Sequence, residues 1–308
     1  MTEGNAPGAS YGPAAAPQEV AVAAASALTL GYSAPMPGND SRYSDGTVAH
    51  ETRLLSVPAL AAAASKAAEL AVGETVLESV LASASVTGGY TDFRTAGYIA
   101  PLARAALLGE RLGRVLAGLS HADARSFARA LEAAGGRTQN HLRGTLYGAI
   151  NVVLGAGRDA TLRDAMRFAA GNPGDPLARE YAKGFEVTRE LARPALMGAL
   201  ARVEATRPAL VQAYLEVLAE VPDPDVAGGA GQREAEDVSR MAHGVLKAGG
   251  VYSRRGLQAV SNLDGLLRSD ARLKPSASEP PIIAAAFLLA LEYGPGYLNG
   301  RVRPVAQR

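Results

Sequence analysis

The 308-residue chain contains no cysteine and no tryptophan. Without thiols there is no disulfide, no thiolate metal site and no sulfur nucleophile. Histidine is nearly as scarce. The four present, His50, His121, His141 and His243, are scattered and never stand at i, i+4, so no metal site is expected and no cofactor is implied. Charge of one sign is also missing. A net charge of +1 leaves no footprint for nucleic acid or an anionic membrane surface. Long apolar runs are absent as well. Val20 to Leu30 follows the acidic Glu19 with no basic residue ahead of it, a poor signal peptide. Pro281 to Leu291 is apolar but too short to span a bilayer. The expectation is a cytoplasmic protein with neither nucleic-acid nor membrane partners.

Period-two runs of β-branched residues are nearly absent, and no glycine-rich phosphate loop stands between a strand and a helix. What remains is alanine-rich helix. Leu162, Ala165, Met166 and Ala169 fall at i, i+3, i+4 and i+7, one apolar face. Ser120 caps a predicted helix from His121 to Ala134, with Asp123 in its first turn and Gly135-Gly136 at its end. Pro208 opens another from Ala209 to Glu220, and Glu234 to Lys247 and Arg254 to Leu267 follow. The fold class expected is all-α, a single compact multi-helix bundle of about ten or more helices. Residues 1–17 and 294–308 read as tails around a helical domain of residues 18–293.

Four loops interrupt the helices: Gly31 to Ser56, Val86 to Tyr98, Val221 to Arg233 and Ser269 to Pro281. The first holds Pro35-Met36-Pro37-Gly38-Asn39-Asp40-Ser41-Arg42-Tyr43-Ser44-Asp45, polar and turn-forming, in a chain with little structural need for it. Gathered together, these loops would form a cleft holding Asp40, Asp45, Asp92 and Asp225.

The ordered series of motifs resembles the triphosphoribosyl-dephospho-CoA synthase family over most of residues 18–293. Pro35-Met36-Pro37-Gly38-Asn39 resembles the family's Pro-Lys-Pro-Gly-Asn. Thr87 to Thr95 is similar to its Gly-Gly-Asn-Thr-Asn-x-Gly loop, and Ala100-Pro101-Leu102 continues the likeness. Thr145-Leu146-Tyr147, Phe185-Glu186, Pro222-Asp223 and Ala284 to Glu292 follow in order. The resemblance implies an all-helical transferase that moves the triphosphoribosyl unit of ATP onto dephospho-CoA and releases adenine.

The polar residues depart from that pattern. The motif lysine is Met36, an upstream acidic residue is Leu30, the loop asparagines are Tyr90 and Asp92, its second glycine is Arg94, and an acidic residue of the last loop falls near Pro281. Losing the lysine removes a point charge suited to phosphate, and Asp92 adds the wrong sign. The profile is similar to diverged members in azinomycin-type secondary metabolism. Those close an aziridine ring by expelling a sulfate-like group, with a small partner subunit and an amino acid held on an amino-group carrier protein.

That resemblance implies an intramolecular displacement of an anionic leaving group by an amine. Asp45, Asp92 or Asp40 would serve as base, Arg94 or Arg42 would hold the leaving group, and Tyr90, His50 and Asn39 would contact substrate. The alternatives are the family's own transfer reaction and a non-catalytic subunit that binds a partner enzyme. The plain structural readings are Asx-turns for Asp40 and Asp45, a helix cap for Asp92, a solvated arginine for Arg94, packing for Tyr90 and a polar loop position for His50. Asp223 and Asp225, between prolines, read as a helix stop.

Overall fold

Alanine-rich sequence without β-branched alternation folds as helix. The computed structural model describes residues 14–43, 48–135, 143–157, 159–171, 174–203 and 205–299, and among these there are 15 α-helices and no strand. In chain order they are α1 (Pro17–Tyr32), α2 (His50–Ser65), α3 (Val72–Thr87), α4 (Phe93–Leu108), α5 (Leu112–Ala117), α6 (His121–Ala133), α7 (Gly148–Gly155), α8 (Leu162–Ala169), α9 (Pro176–Lys183), α10 (Arg193–Val203), α11 (Thr206–Glu220), α12 (Pro224–Gly229), α13 (Gln232–Lys247), α14 (Arg254–Ser269) and α15 (Glu279–Tyr293). None of the described helices is long and apolar enough to cross a membrane.

The apolar run Pro281 to Leu291 is the centre of the bundle. Every residue of α15 from Glu279 to Ala290 is buried, as expected of a helix that is hydrophobic all round. It packs on α1, α4 and α10. The contact with α1 is close because Gly31 lacks a side chain: a Cβ there would sit 2.5 Å from Ile283 Cγ1. Five of the aromatics form one cluster. Phe93, Phe127, Tyr181, Phe185 and Tyr98 form a chain of ring contacts with centroids 5.5–6.0 Å apart, tying α4 to α6 and α9.

Local signals place several elements directly. α6 starts at the Ser120 cap, and the Asp123 carboxylate accepts the Ser120 N–H in return. α8 buries Leu162, Ala165, Met166 and Ala169. Other boundaries move. Pro208 lies in the first turn of α11, which begins at Thr206. The loop expected from Val86 to Tyr98 shrinks, because α3 runs to Thr87 and α4 begins at Phe93. The loop expected from Val221 to Arg233 contains α12, started by the Asp223 cap and Pro224. Within the tail expected from residue 294, Pro295–Asn299 form a 3-10 turn with Tyr297 and Leu298 buried.

α3 and α6 approach at Gly73, whose N–H donates to Asp123 Oδ1 at 2.8 Å. A Cβ at Gly73 would lie 2.4 Å from the Asp123 backbone oxygen, and backbone cannot step aside as a side-chain tip can. Gly73→Ala is therefore expected to destabilise by about 1–3 kcal/mol. Gly244→Ala, where a Cβ meets nothing within 4 Å, should be neutral or stabilising. Urea denaturation of both variants checks the pair, and equal effects would refute the close-packing account.

Candidate functional site

The four interrupting loops meet. The first is pinned through its backbone. Tyr214 of α11 donates its hydroxyl to Pro37 O at 3.0 Å and accepts from Asn39 Nδ2 at 3.0 Å, while Asn39 Nδ2 also reaches Pro275 O at 3.3 Å. Gly38 has φ +79 and donates its N–H to Asp264 Oδ1 at 2.8 Å. That conformation favours glycine, and a Cβ would also stand 2.8 Å from Pro275 Cδ. Arg268 closes the motif by donating to Asn39 O at 2.6 Å. Asn39 and Met36 are both buried; here they hold the loop in place.

Two buried arginines organise the rest. Arg53, on the first turn of α2, donates to Asp40 O at 2.9 Å and to Glu279 Oε2 at 2.7 Å, and its guanidinium lies 4.0 Å from the Tyr32 ring centroid. The Tyr32 hydroxyl donates to Asp92 Oδ2 at 2.7 Å, and the charge of Arg53 acts on the nearby Tyr90 hydroxyl. Lys274 pairs with Asp40 Oδ2 at 2.8 Å. Arg94, at the start of α4, grips Asp225 with two hydrogen bonds of 2.6 and 3.0 Å. Ser276 donates to the same Asp225 carboxylate, and Ser278 donates to Asp223 Oδ2 at 2.7 Å. The first loop thus joins the second through Tyr32 and Asp92, the second joins the third through Arg94 and Asp225, and the fourth ties to the first and third.

The expected cleft is mostly a packed polar layer, with Arg53, Arg94, Asp223, Ser278 and Glu279 buried and Asp40, Asp92 and Tyr90 half-buried. Asp92 accepts the Thr95 N–H at 3.0 Å as N-cap of α4, so each of its oxygens has a structural partner. Arg94 is neutralised by Asp225 instead of facing solvent. Arg42 is exposed beside the Tyr43 ring. His50 opens α2 with Nδ1 buried and without a hydrogen-bond partner. Asp45 lies outside the described residues. Sequence reasoning missed Arg53, Glu279, Lys274 and Tyr32; it read Asp223 as a helix stop, and Asp225 both as a helix stop and as a member of the expected cleft. Glu279 stands two residues before Pro281, so the last loop does bring a carboxylate to the cluster. The one signal for Arg53 was a lone arginine in the first turn of an otherwise apolar helix face.

Four buried polar atoms in this layer have no hydrogen-bond partner: Glu279 Oε1, Arg94 Nε, Thr95 Oγ1 and Asp175 Oδ2. Such atoms leave capacity for a ligand or water. Burial pushes the Glu279 carboxyl up, against the pull of Arg53. Burial also pushes the Tyr90 hydroxyl far above its ordinary range, with Asp92 adding to it, so Tyr90 stays protonated. Among the described residues no three His, Cys, Asp or Glu side chains are placed to hold a metal ion.

Asp225, Asp223 and Asp175 share one guanidinium, Arg94, and Asp225 takes it. Burial pushes Asp223 up to about 7, with the charge of Asp225 adding to the shift, and pushes Asp175 up to about 6. A carboxyl raised in the folded state contributes stability that is fully present below its unfolded pKa of about 3.9 and is lost as pH rises through the folded value. Asp223→Asn keeps the cap on Asp225 and Val226 N–H while removing that loss. It should be more stable than wild type at pH 8, with the difference closing by pH 4. Denaturation at both pH values decides this, and a difference independent of pH would refute it.

No curated protein matches the chain. One solved chain does, provisionally assigned as a triphosphoribosyl-dephospho-CoA synthase from Archaeoglobus fulgidus. It superposes with a TM-score of 0.56 at 19% identity, covering 78% of this chain and 99% of its own, which supports the fold. The sequence pattern of the ATP:dephospho-CoA triphosphoribosyl transferases (CitG) matches residues 17–296. The chain belongs to that family of enzymes.

Proposed function

We propose that the protein catalyses displacement at carbon, a nucleophile replacing a leaving group, and that the four-loop layer is its reaction site. The observation that carries this is the presence of partnerless buried atoms, Glu279 Oε1, Arg94 Nε and Thr95 Oγ1, on the loops that carry the motifs of a transferase family, with Asp175 Oδ2 of the Arg94 cluster beside them. The first reading is the family's own reaction, ATP-dependent transfer of the triphosphoribosyl group onto dephospho-CoA or a related acceptor. Family membership supports it.

A second reading is favoured by charge. Arg53, Arg94 and Lys274 are each paired with a carboxylate, Glu279, Asp225 and Asp40 respectively. Met36, in place of the family's lysine, is buried. A triphosphate therefore meets cations already neutralised and a surplus of carboxylates, whereas an amine is suited to that surplus. In this reading an amine displaces an anionic leaving group within one molecule, as in aziridine closure, on a small substrate held by a carrier protein and with a small partner subunit. The raised carboxyl of Glu279 joins Asp45, Asp40 and Asp92 as a candidate base.

Incubating folded protein with ATP, magnesium and dephospho-CoA and assaying free adenine by mass spectrometry separates the two. Adenine release supports the first reading and removes the second. No release refutes the first. The second then predicts that Asp45→Asn or Glu279→Gln abolishes ring closure by the complex. A partner enzyme whose activity survives every polar substitution in the loops would leave a binding subunit as the role.

A further inference from the structure

On the opposite side of α11 from the four-loop layer lies a groove of about 700 Å³, a volume usual for small-molecule sites. Helix geometry separates the two. Tyr214 reaches the first loop, while Gln212 and Glu216, one turn apart, line the groove. The walls come from α10, the end of α13, the turn at Gly249–Tyr252, and the π-helix Val187–Ala192 that runs directly into α10. That π-helix is anchored by the buried Glu180 carboxylate, which accepts the N–H groups of Val187 and Thr188 at 2.9 and 3.3 Å.

The space exists because α10 presents Ala195, Gly198 and Ala199 to it; a Cβ on Gly198 would meet nothing within 4 Å. One buried polar side chain is locked in place. Gln212 accepts the Val251 N–H at 3.1 Å and donates to Glu216 Oε1 at 2.9 Å. Glu216 and Arg202 both influence the Tyr252 hydroxyl, and the Arg202 guanidinium lies 3.8 Å from the Tyr252 ring centroid. Glu190 is the second carboxylate of the lining, with only a loose 3.7 Å contact to Arg189. The lining thus carries two carboxylates, one guanidinium and an aromatic face.

From that charge pattern we infer that the groove binds an α-amino acid with a cationic side chain. Such a molecule carries two cationic nitrogens for Glu190 and Glu216, one carboxylate for Arg202, and a methylene chain for the Tyr252 ring and Leu191. The inference is independent of the reaction at the four-loop layer. The probe is L-lysine, titrated into the full-length protein by calorimetry beside norleucine, which lacks the side-chain ammonium, and cadaverine, which lacks the carboxylate.

Saturable lysine binding is expected, with norleucine and cadaverine each weaker by about tenfold or more. Gly198→Leu, which fills the groove and favours helix, should abolish lysine binding without lowering the melting temperature. Arg202→Gln should bring lysine down to the affinity of cadaverine. Equal binding of lysine and cadaverine to wild type would overturn the amino-acid assignment. Lysine binding that survives Gly198→Leu would overturn the location, and no saturable binding up to about 10 mM would overturn the site itself.

Discussion

Arg94→Met is expected to destabilise the protein by about 3–5 kcal/mol, because it strips the cation from a buried cluster and leaves carboxylates uncompensated. Arg94 is 6% exposed, and Asp225, Asp223 and Asp175 all feel its charge. The cluster is asymmetric, and this gives the prediction its edge. Removing Asp225 leaves Arg94 with two further carboxylates nearby, whereas removing Arg94 leaves three carboxylates with no guanidinium. Asp225→Asn should therefore cost less than Arg94→Met. The double variant should recover part of the loss, since the best-matched charges leave together. Urea denaturation of the three proteins at pH 7.5 tests this, and an Arg94→Met loss below about 1 kcal/mol would contradict the assigned role. For a chain of this size the expected loss corresponds to a fall in melting temperature on the order of 10 °C.

Arg53→Met should have an effect of comparable size and a wider reach. The guanidinium serves the Asp40 carbonyl, the Glu279 carboxylate and the Tyr32 ring, and its charge acts on the Tyr90 hydroxyl. Its loss leaves Glu279 buried without its counter-charge and frees the first loop from α2. A loss of about 3–5 kcal/mol is expected. Hydrogen exchange should show the amides of residues 36–43 opening at lower free energy than in wild type. Arg53→Lys should rescue little, because a single ammonium cannot reproduce two directed hydrogen bonds and a flat contact with a ring. Full stability in the lysine variant would mean that charge alone matters at this position.

Both arginines bear on what could be read in advance. Arg94 stood in the sequence as a replaced glycine and a candidate anion binder, and in the structure its guanidinium is paired with Asp225. Asp225 lies 131 residues away, and no local pattern announces a partner at that separation. Asp92 was named as a base with helix capping as the plain alternative, and its two oxygens are occupied by Thr95 N–H and the Tyr32 hydroxyl. Asn39 was named for substrate contact, yet its amide is engaged by Tyr214 and Pro275. The Pro-Met-Pro-Gly-Asn motif was visible as a turn because proline, glycine and asparagine encode turns locally. Its function as a brace between α11 and α14 was not, because the bracing residues come from distant helices.

Helix class, the Ser120 cap and the apolar face of α8 were determined by the sequence alone, since backbone propensity, capping and 3.6-residue periodicity act within a few residues of one another. The membership of the family was carried by ordered motifs along the chain. What each charged residue of the loops is paired with was decided only by tertiary structure. A carboxylate is a base, a cap or half of an ion pair according to what burial and packing place beside it, and here those neighbours come from as near as 3 residues along the chain, at Asp92, and as far as 226, at Glu279.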